Sequence, residues 1–203
     1  MSSALTTPRL ARMGRSSRLP KPLRWTYDDY CLLPEDGRRH EILGGEHVVS
    51  PAPRPVHQIV LTQLIVLLHT TKGFAGRLMP APVDVVLSEH DVVQPDLVWL
   101  SAERLDRLTE KNLQGAPDLV VEILSPSTRR VDEKLKRRLY ARHDVREYWL
   151  IDPDLFTVRI FGRADDSTDG PFRLVRELDA EEGDRLASAL FPTLDVEVAS
   201  LFD

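Results

Sequence analysis

A carboxylate lies inside the most apolar stretch of this chain. Glu122 stands between Val121 and Ile123 in a nearly continuous apolar run at residues 118–124. Such a run is typical of a strand covered on both faces, where an uncompensated carboxylate is costly. Three compensations are open: an ion pair within the fold, a raised pKa that keeps the acid neutral, or a divalent metal ion. The sequence therefore marks Glu122 as a candidate functional residue.

Other carboxylates could join Glu122 at one site. Asp118 shares its strand face, but four residues at ~3.3 Å each place the two about 13 Å apart, too far for one ion. Asp96 also opens an apolar run, and Asp84 falls nearly opposite Asp96 if the turn at residues 89–90 sets the pairing. Clustered carboxylates select Mg²⁺, Mn²⁺ or Ca²⁺ rather than zinc. A metal site is the economical explanation, with a structural ion pair as the alternative for Glu122.

The elements that must position these carboxylates follow from the apolar pattern, which predicts an α/β fold. A Thr26–Asp29 capping box begins the first helix, and Gly44-Gly45 turns a hairpin. Helices are predicted at residues 27–33, 56–71 and 127–142, and a short helix or loop at 101–108. Strands are predicted in the hairpin at 41–49 and at 84–87, 92–93, 96–100, 118–124, 147–151, 157–161, 172–178 and 194–198. We expect the three strands between 84 and 100 to pair as antiparallel neighbours and the strand at 118–124 to lie at the sheet centre.

Composition and charge limit the possible classes of protein. The 203 residues, 42% of them hydrophobic, predict one domain at residues 25–203 after a flexible basic arm at residues 1–24. No apolar stretch approaches the ~20 residues that span a bilayer. The formal charge of −5 argues against coating of nucleic acid by bulk charge but leaves a local patch open. With Cys31 as the single cysteine, we expect a cytoplasmic protein without an internal disulfide.

The order of these elements and motifs resembles a known nuclease superfamily. Asp96 follows a proline on one strand, Glu122 lies on the next, and the run at residues 116–128 precedes a helix with Lys136. With Glu147-Tyr-Trp-Leu-Ile-Asp-Pro153, this pattern resembles the PD-(D/E)XK superfamily and, more closely, the bacterial restriction endonucleases of the Uma type. The resemblance implies a restriction endonuclease-like αβββαβ core with a mixed central sheet, an N-terminal helix and hairpin, and extra C-terminal strands.

The same resemblance implies a metal-dependent nuclease that hydrolyses phosphodiester bonds in DNA with Mg²⁺ or Mn²⁺. Asp96 and Glu122 would be metal ligands, and the carbonyl group of Ile123 a further one. The lysine expected two positions after Glu122 is replaced by Leu124. In the similar family a lysine on the next helix takes its place, and Lys136 occupies that position here.

Further residues are weaker candidates for the site. Glu41 matches an acidic position of the similar family and would complete the catalytic set, while His57 and Gln58 begin the long helix. Lys134 is the alternative to Lys136. The helix is rich in basic residues that predict a phosphate-contacting patch, although a solvated charged face is the simpler interpretation. The predicted nucleic-acid-binding residues are Arg129, Arg130, Lys134 and Arg137.

The sequence is compatible with two other classes of function. The displaced lysine favours a catalytically inactive nucleic-acid-binding or protein-interaction module on the same fold. An acid/base hydrolase with two carboxylates and no metal predicts activity that survives chelation. For the nuclease, the expected partner is nucleic acid, with no membrane, and a homodimer would suit cleavage of both strands of a duplex.

Overall fold

The computed structural model describes residues 23–163 and 170–203. The basic arm predicted at residues 1–24 lies outside these ranges except for its last two residues. Helix α1 (Tyr27–Tyr30) begins with the expected capping box, in which the side chains of Thr26 and Asp29 each accept a hydrogen bond from the other's main chain. The helix is shorter than predicted and ends at Tyr30.

The remaining elements follow the predicted order with three additional strands. Besides α1, the helical segments are α2 (Pro55–Thr70), a π-helical segment (Val131–Lys136), α3 (Arg137–Arg142), and 3-10 helices at Ala102–Arg107 and Val198–Leu201. The strands are β1 (Arg39–Leu43), β2 (Glu46–Ser50), β3 (Arg77–Pro80), β4 (Val85–Ser88), β5 (Asp91–Val93), β6 (Leu97–Leu100), β7 (Leu113–Gln114), β8 (Leu119–Ile123), β9 (Glu147–Asp152), β10 (Thr157–Gly162), β11 (Arg173–Asp179), β12 (Arg185–Ser188) and β13 (Phe191–Glu197). Strands β3, β7 and β12 are too short or too polar to have been predicted from periodicity.

The strands form two larger sheets and a hairpin. The six-stranded sheet has the order β11-β10-β9-β8-β6-β3, and the five-stranded sheet has the order β2-β1-β5-β4-β7. Strands β12 and β13 pair with each other. Strand β8 is parallel to β9 and antiparallel to β6, so the central sheet is mixed, as the restriction endonuclease-like architecture requires. The predicted fold class is confirmed.

Strand β8 is buried on both faces, as its continuous apolar sequence predicts. On one face, Leu119, Val121 and Ile123 share a core cluster with residues of α2. On the other, Val120 and Leu124 pack in a second cluster with residues of α3 and the five-stranded sheet. Because side chains alternate along a strand, Glu122 lies on the face that is covered by α3.

The expected pairing of the three strands between residues 84 and 100 is only partly correct. Strands β4 and β5 pair antiparallel, but β6 belongs to the other sheet, between β3 and β8. The expected position of Asp84 opposite Asp96 is therefore wrong. The physical reason is that residues 94–96 carry the chain from one sheet to the other, so the turn at residues 89–90 sets the register of β4 and β5 alone.

Candidate active site

Strand pairing brings Asp96 and Glu122 together. Asp96 directly precedes β6, and the antiparallel register pairs Leu97 with Val121 of β8. The two carboxylates lie 2% exposed and line one cavity of about 180 Å³. Lys136 and Asp132 of the π-helical segment line the same cavity, as do three residues from other elements, namely Arg39 of β1, His57 of α2 and Ile123 of β8.

Asp96 is held by three donors. Arg39 Nη1 donates to Oδ1 at 2.6 Å, and the main-chain nitrogen of Ile123 donates to Oδ2 at 2.8 Å. Oδ2 also lies 2.9 Å from Nε2 of His57, which places the proton on that nitrogen if the carboxylate is ionised. Burial raises the pKa of Asp96, but His57 and Arg39 lower it by more than burial raises it. The resulting pKa is about 2. Asp96 is therefore a carboxylate at neutral pH.

Lys136 lies inside a group of carboxylates that we call the carboxylate cage, formed by Glu41, Glu122 and Asp132. Its Nζ atom lies 2.8 Å from Glu41 Oε1, 2.9 Å from Glu122 Oε1 and 3.7 Å from Asp132 Oδ1. Burial lowers the pKa of the Lys136 ammonium, but these carboxylates outweigh burial and raise it well above its usual value. These carboxylates therefore favour the charged ammonium form of the lysine.

Two further donors fix the cage. The Tyr140 hydroxyl donates to Glu122 Oε1 at 2.9 Å, and the main-chain nitrogen of Gln94 donates to Glu41 Oε1 at 2.9 Å. Asp132, Lys136 and Tyr140 recur at intervals of four residues, which brings them to one side of the π-helical segment and α3. A π-helical segment often marks a functional site in a helix.

The site contains more carboxyl groups than cationic side chains. The carboxyl groups are those of Glu41, Asp96, Glu122 and Asp132, and the cationic side chains are those of Arg39 and Lys136. Burial raises the pKa of Glu122 well above its usual range. The positive charge of Lys136 lowers this pKa, whereas the negative charges of Asp132, Asp96 and Glu41 raise it. Burial likewise raises the pKa of Asp132. A site short of positive charge favours the binding of a cation.

The oxygen donors of the site suit an ion such as Mg²⁺, which keeps several water ligands, better than an ion that is coordinated by protein groups alone. Within residues 23–163 and 170–203, no three His, Cys, Asp or Glu side chains are grouped so as to hold a metal ion by themselves. Mg²⁺ commonly takes one or two carboxylates and keeps waters or substrate phosphates as its other ligands. Asp96 and Glu122, with the Ile123 carbonyl group, match that kind of donor set.

Other predicted site residues lie apart from this cavity. The Asp84 carboxylate accepts hydrogen bonds from the Tyr30 hydroxyl at 2.6 Å and from Gln94 Nε2 at 2.7 Å. Gln58 is exposed and lines a neighbouring cavity that shares Arg39 and residues 50–53 with the first. His57, by contrast, is in the site.

The residues of the predicted nucleic-acid patch differ in their contacts and exposure. Arg129 binds Asp152 at 2.5 Å and lies 3.8 Å from Glu133. The Arg137 guanidinium lies over the ring of Phe161, 5.1 Å from its centroid. Arg130 and Lys134 are exposed to solvent.

Sequence reasoning missed two participants in the site. Arg39 was not singled out, although it lies two residues before Glu41 and so shares its strand face. The role of Asp132 in holding Lys136 was also missed, although their four-residue spacing was visible. The signal in each case was the periodicity of a charged residue relative to a stronger candidate.

Comparison with known proteins identifies the family of this chain. Residues 27–199 match the sequence model of Uma2, whose description is "Putative restriction endonuclease". The chain belongs to the Uma2 family. The Uma2 match covers Glu41, Asp96, Glu122 and Lys136, and it confirms the family resemblance seen in the sequence.

A solved structure shares the Uma2 chain's fold. It is a crystal structure from Anabaena variabilis ATCC 29413, described as a putative nuclease belonging to DUF820. The two structures superpose with a TM-score of 0.70 and 21% sequence identity, covering 87% of this chain and 97% of that one. No functionally curated protein matches the chain. Among the described residues, no helix is long and apolar enough to cross a membrane.

Proposed function

We propose that this protein is a metal-dependent endonuclease that hydrolyses phosphodiester bonds in DNA, with Mg²⁺ or Mn²⁺ as the cofactor. The observation that carries the proposal is the meeting of Asp96, Glu122 and Lys136 in one cavity of a Uma2-family fold. Asp96 and Glu122 would hold the ion, with the Ile123 carbonyl group as a further ligand. Asp84 is left out of this set because it lies in the other sheet region with Tyr30 and Gln94.

A divalent ion at such a site supplies charge that polarises the scissile phosphate and makes an attacking water more acidic. The chain's own residues prepare the site. Arg39 and His57 keep Asp96 ionised, and Tyr140 fixes the orientation of Glu122. The Lys136 ammonium would donate hydrogen bonds that orient the attacking water and stabilise charge developing on the phosphate. Burial excludes bulk water and strengthens these interactions.

The test measures cleavage and metal binding on the same variants. Wild type and Glu122→Gln are incubated with a mixture of DNA substrates in Mg²⁺ or Mn²⁺, and Mn²⁺ binding is measured by calorimetry. We expect the variant to lose cleavage by at least about 100-fold and to lose measurable metal binding. Glu110→Gln is the matched control, because Glu110 is exposed and does not line the cavity that holds the site residues. It should behave as wild type.

Other outcomes separate the alternatives. DNA binding without cleavage by the wild type would favour the inactive binding module. Cleavage that persists in excess EDTA would favour acid/base hydrolysis without a metal. Cleavage that is unchanged in Glu122→Gln would overturn the proposed site.

A further inference from the structure

The carboxylate cage gives Lys136 an environment that resembles a metal site with an ammonium at its centre. The lysine is 3% exposed, and its contacts come from β1, β8 and its own π-helical segment. An ammonium at this depth is stable only with anionic partners, and Glu41 and Glu122 provide them at hydrogen-bond distance. The contacts therefore tie three elements together through one cation.

The buried carboxylates in turn depend on the positive charge of Lys136. Glu41 and Glu122 are both almost fully buried, and both present Oε1 to the same nitrogen. Without a cation, each would keep only one neutral donor among the contacts described above, from Gln94 for Glu41 and from Tyr140 for Glu122. Two buried carboxylates that face one point repel strongly unless positive charge lies between them.

We propose that Lys136 is the resident cation of the site, which keeps the carboxylate cage assembled without a divalent ion and competes with such an ion for the charge of Glu122. Glu41 and Asp132 are then positioning residues that act through Lys136. The competition rests on the proposed function, because it concerns the same metal. The assembly of the cage concerns this chain alone.

The first experiment compares Lys136→Met with wild type by thermal unfolding in EDTA and in MnCl₂, with calorimetry of Mn²⁺ binding. Methionine keeps much of the side-chain volume and removes the charge. In EDTA we expect the melting temperature to fall by about 10 °C, because buried carboxylates lose their counter-ion. We expect Mn²⁺ to bind about tenfold more tightly to the variant and to restore more of its melting temperature than it adds to wild type.

Lys134→Met is the matched control, since Lys134 is an exposed lysine on the same π-helical segment. Its melting temperature and its affinity for Mn²⁺ should equal those of wild type. A Lys136→Met variant that melts with wild type in EDTA, or that gains no Mn²⁺ affinity over wild type, would overturn the proposal.

A second variant keeps the test decisive if Lys136→Met is too unstable to purify. Glu41→Gln/Lys136→Met removes one anion together with the cation, so it should recover soluble yield and melting temperature relative to the single variant. A double variant no more stable than Lys136→Met would also overturn the proposal, because repulsion among the carboxylates would then not explain the loss.

The outcomes separate this inference from the proposed function. A wild type that cleaves DNA with Mg²⁺ while Lys136→Met is unaffected in stability and Mn²⁺ affinity would reject the resident cation and keep the nuclease. A wild type without cleavage whose Lys136→Met variant is rescued by Mn²⁺ would reject the nuclease and keep the resident cation.

Discussion

At the scale of single residues, the negative charge of Glu122 is compensated by a side chain of the protein, Lys136. Of the three compensations that its sequence context allows, the structure shows the ion pair, with Lys136 Nζ 2.9 Å from Glu122 Oε1. The divalent ion stays a proposal. The partner is the residue that the family resemblance predicted as catalytic, so one side chain provides both electrostatic compensation and a candidate catalytic group.

Removal of the Tyr140 hydroxyl tests whether cleavage depends on the orientation of the Glu122 carboxylate. Tyr140→Phe removes one donor to Glu122 Oε1 and leaves the ring packed in the core. We expect the free energy of unfolding to fall by about 1–3 kcal/mol and cleavage to fall by about tenfold. Urea denaturation and cleavage assays measure the two effects.

Tyr30→Phe is the control for that variant. The Tyr30 hydroxyl donates to Asp84 at 2.6 Å, so this change also removes a bond from a tyrosine to a carboxylate. It should lower stability comparably and leave cleavage unchanged. Equal losses of cleavage in both variants would show that the effect of Tyr140 is one of general stability.

Arg39 and its neighbour Arg38 offer a second matched pair. Arg39→Gln removes the charged donor to Asp96 Oδ1, whereas the side chain of Arg38 is 69% exposed and lies 3.6 Å from Asp36. We expect Arg39→Gln to reduce cleavage by about 10- to 100-fold, as is usual when the supporting partner of a metal ligand is lost. Arg38→Gln should stay within about twofold of wild type in the same assay. Comparable losses in both would contradict a specific role for Arg39.

At the scale of elements, the local residue pattern predicted the helices and strands whose formation depends on neighbouring residues. The nearly continuous apolar run of β8 correctly placed Glu122 on a buried strand, and the capping box of Thr26 correctly placed the start of α1. The wrong position of Asp84 had a different cause, since the passage of the chain from one sheet to the other at residues 94–96 depends on contacts between residues distant in sequence. The π-helical segment was equally inaccessible to prediction from periodicity, because its Lys136 contacts Glu41 and Glu122, which are distant in sequence.

Asp91 joins three elements and gives the fold a dependence on acid. Its carboxylate accepts hydrogen bonds from the Gly44 main chain at 2.7 Å and from Ser88 at 2.9 Å, and lies 3.1 Å from Nε2 of His143. Burial raises the pKa of Asp91, but His143, Gly44 and Ser88 together lower it to about 2. These bonds hold β5 to the β1–β2 turn and to the end of α3.

The sign of the pH effect follows from this lowered pKa. A carboxylate whose pKa falls on folding stabilises the protein fully above its unfolded pKa of about 4, and that contribution is lost as the pH falls towards 2. At pH 7, Asp91→Asn should therefore be less stable than wild type by about 2 kcal/mol. The difference should shrink as the pH is lowered from 4 to 2, as measured by urea denaturation at each pH. A difference that is constant with pH would show that the charge of Asp91 contributes nothing.

At the scale of the whole molecule, the formal charge of −5 means that the proposed binding of DNA would need a local cationic surface. The pairing of Arg129 with Asp152 and Glu133 removes that residue from the predicted patch as a free cation. Arg130 and Lys134 stay exposed close in sequence to Asp132 and Lys136, which line the cavity. These two residues are therefore the strongest candidates for contacts with phosphates beside the site.

Salt dependence tests this assignment because each phosphate contact releases bound counter-ions. For binding of labelled DNA in EDTA, measured by fluorescence anisotropy across a range of NaCl concentrations, Arg130→Ala/Lys134→Ala should reduce the slope of log K against log [NaCl] by about 2. Arg173→Ala/Arg176→Ala removes the same charge from the exposed edge strand β11, which β9 and β10 separate from β8. That control should keep the wild-type slope. Equal changes in both double variants would mean that DNA responds to the total charge of the protein, and the binding surface would then have to be sought away from the π-helical segment.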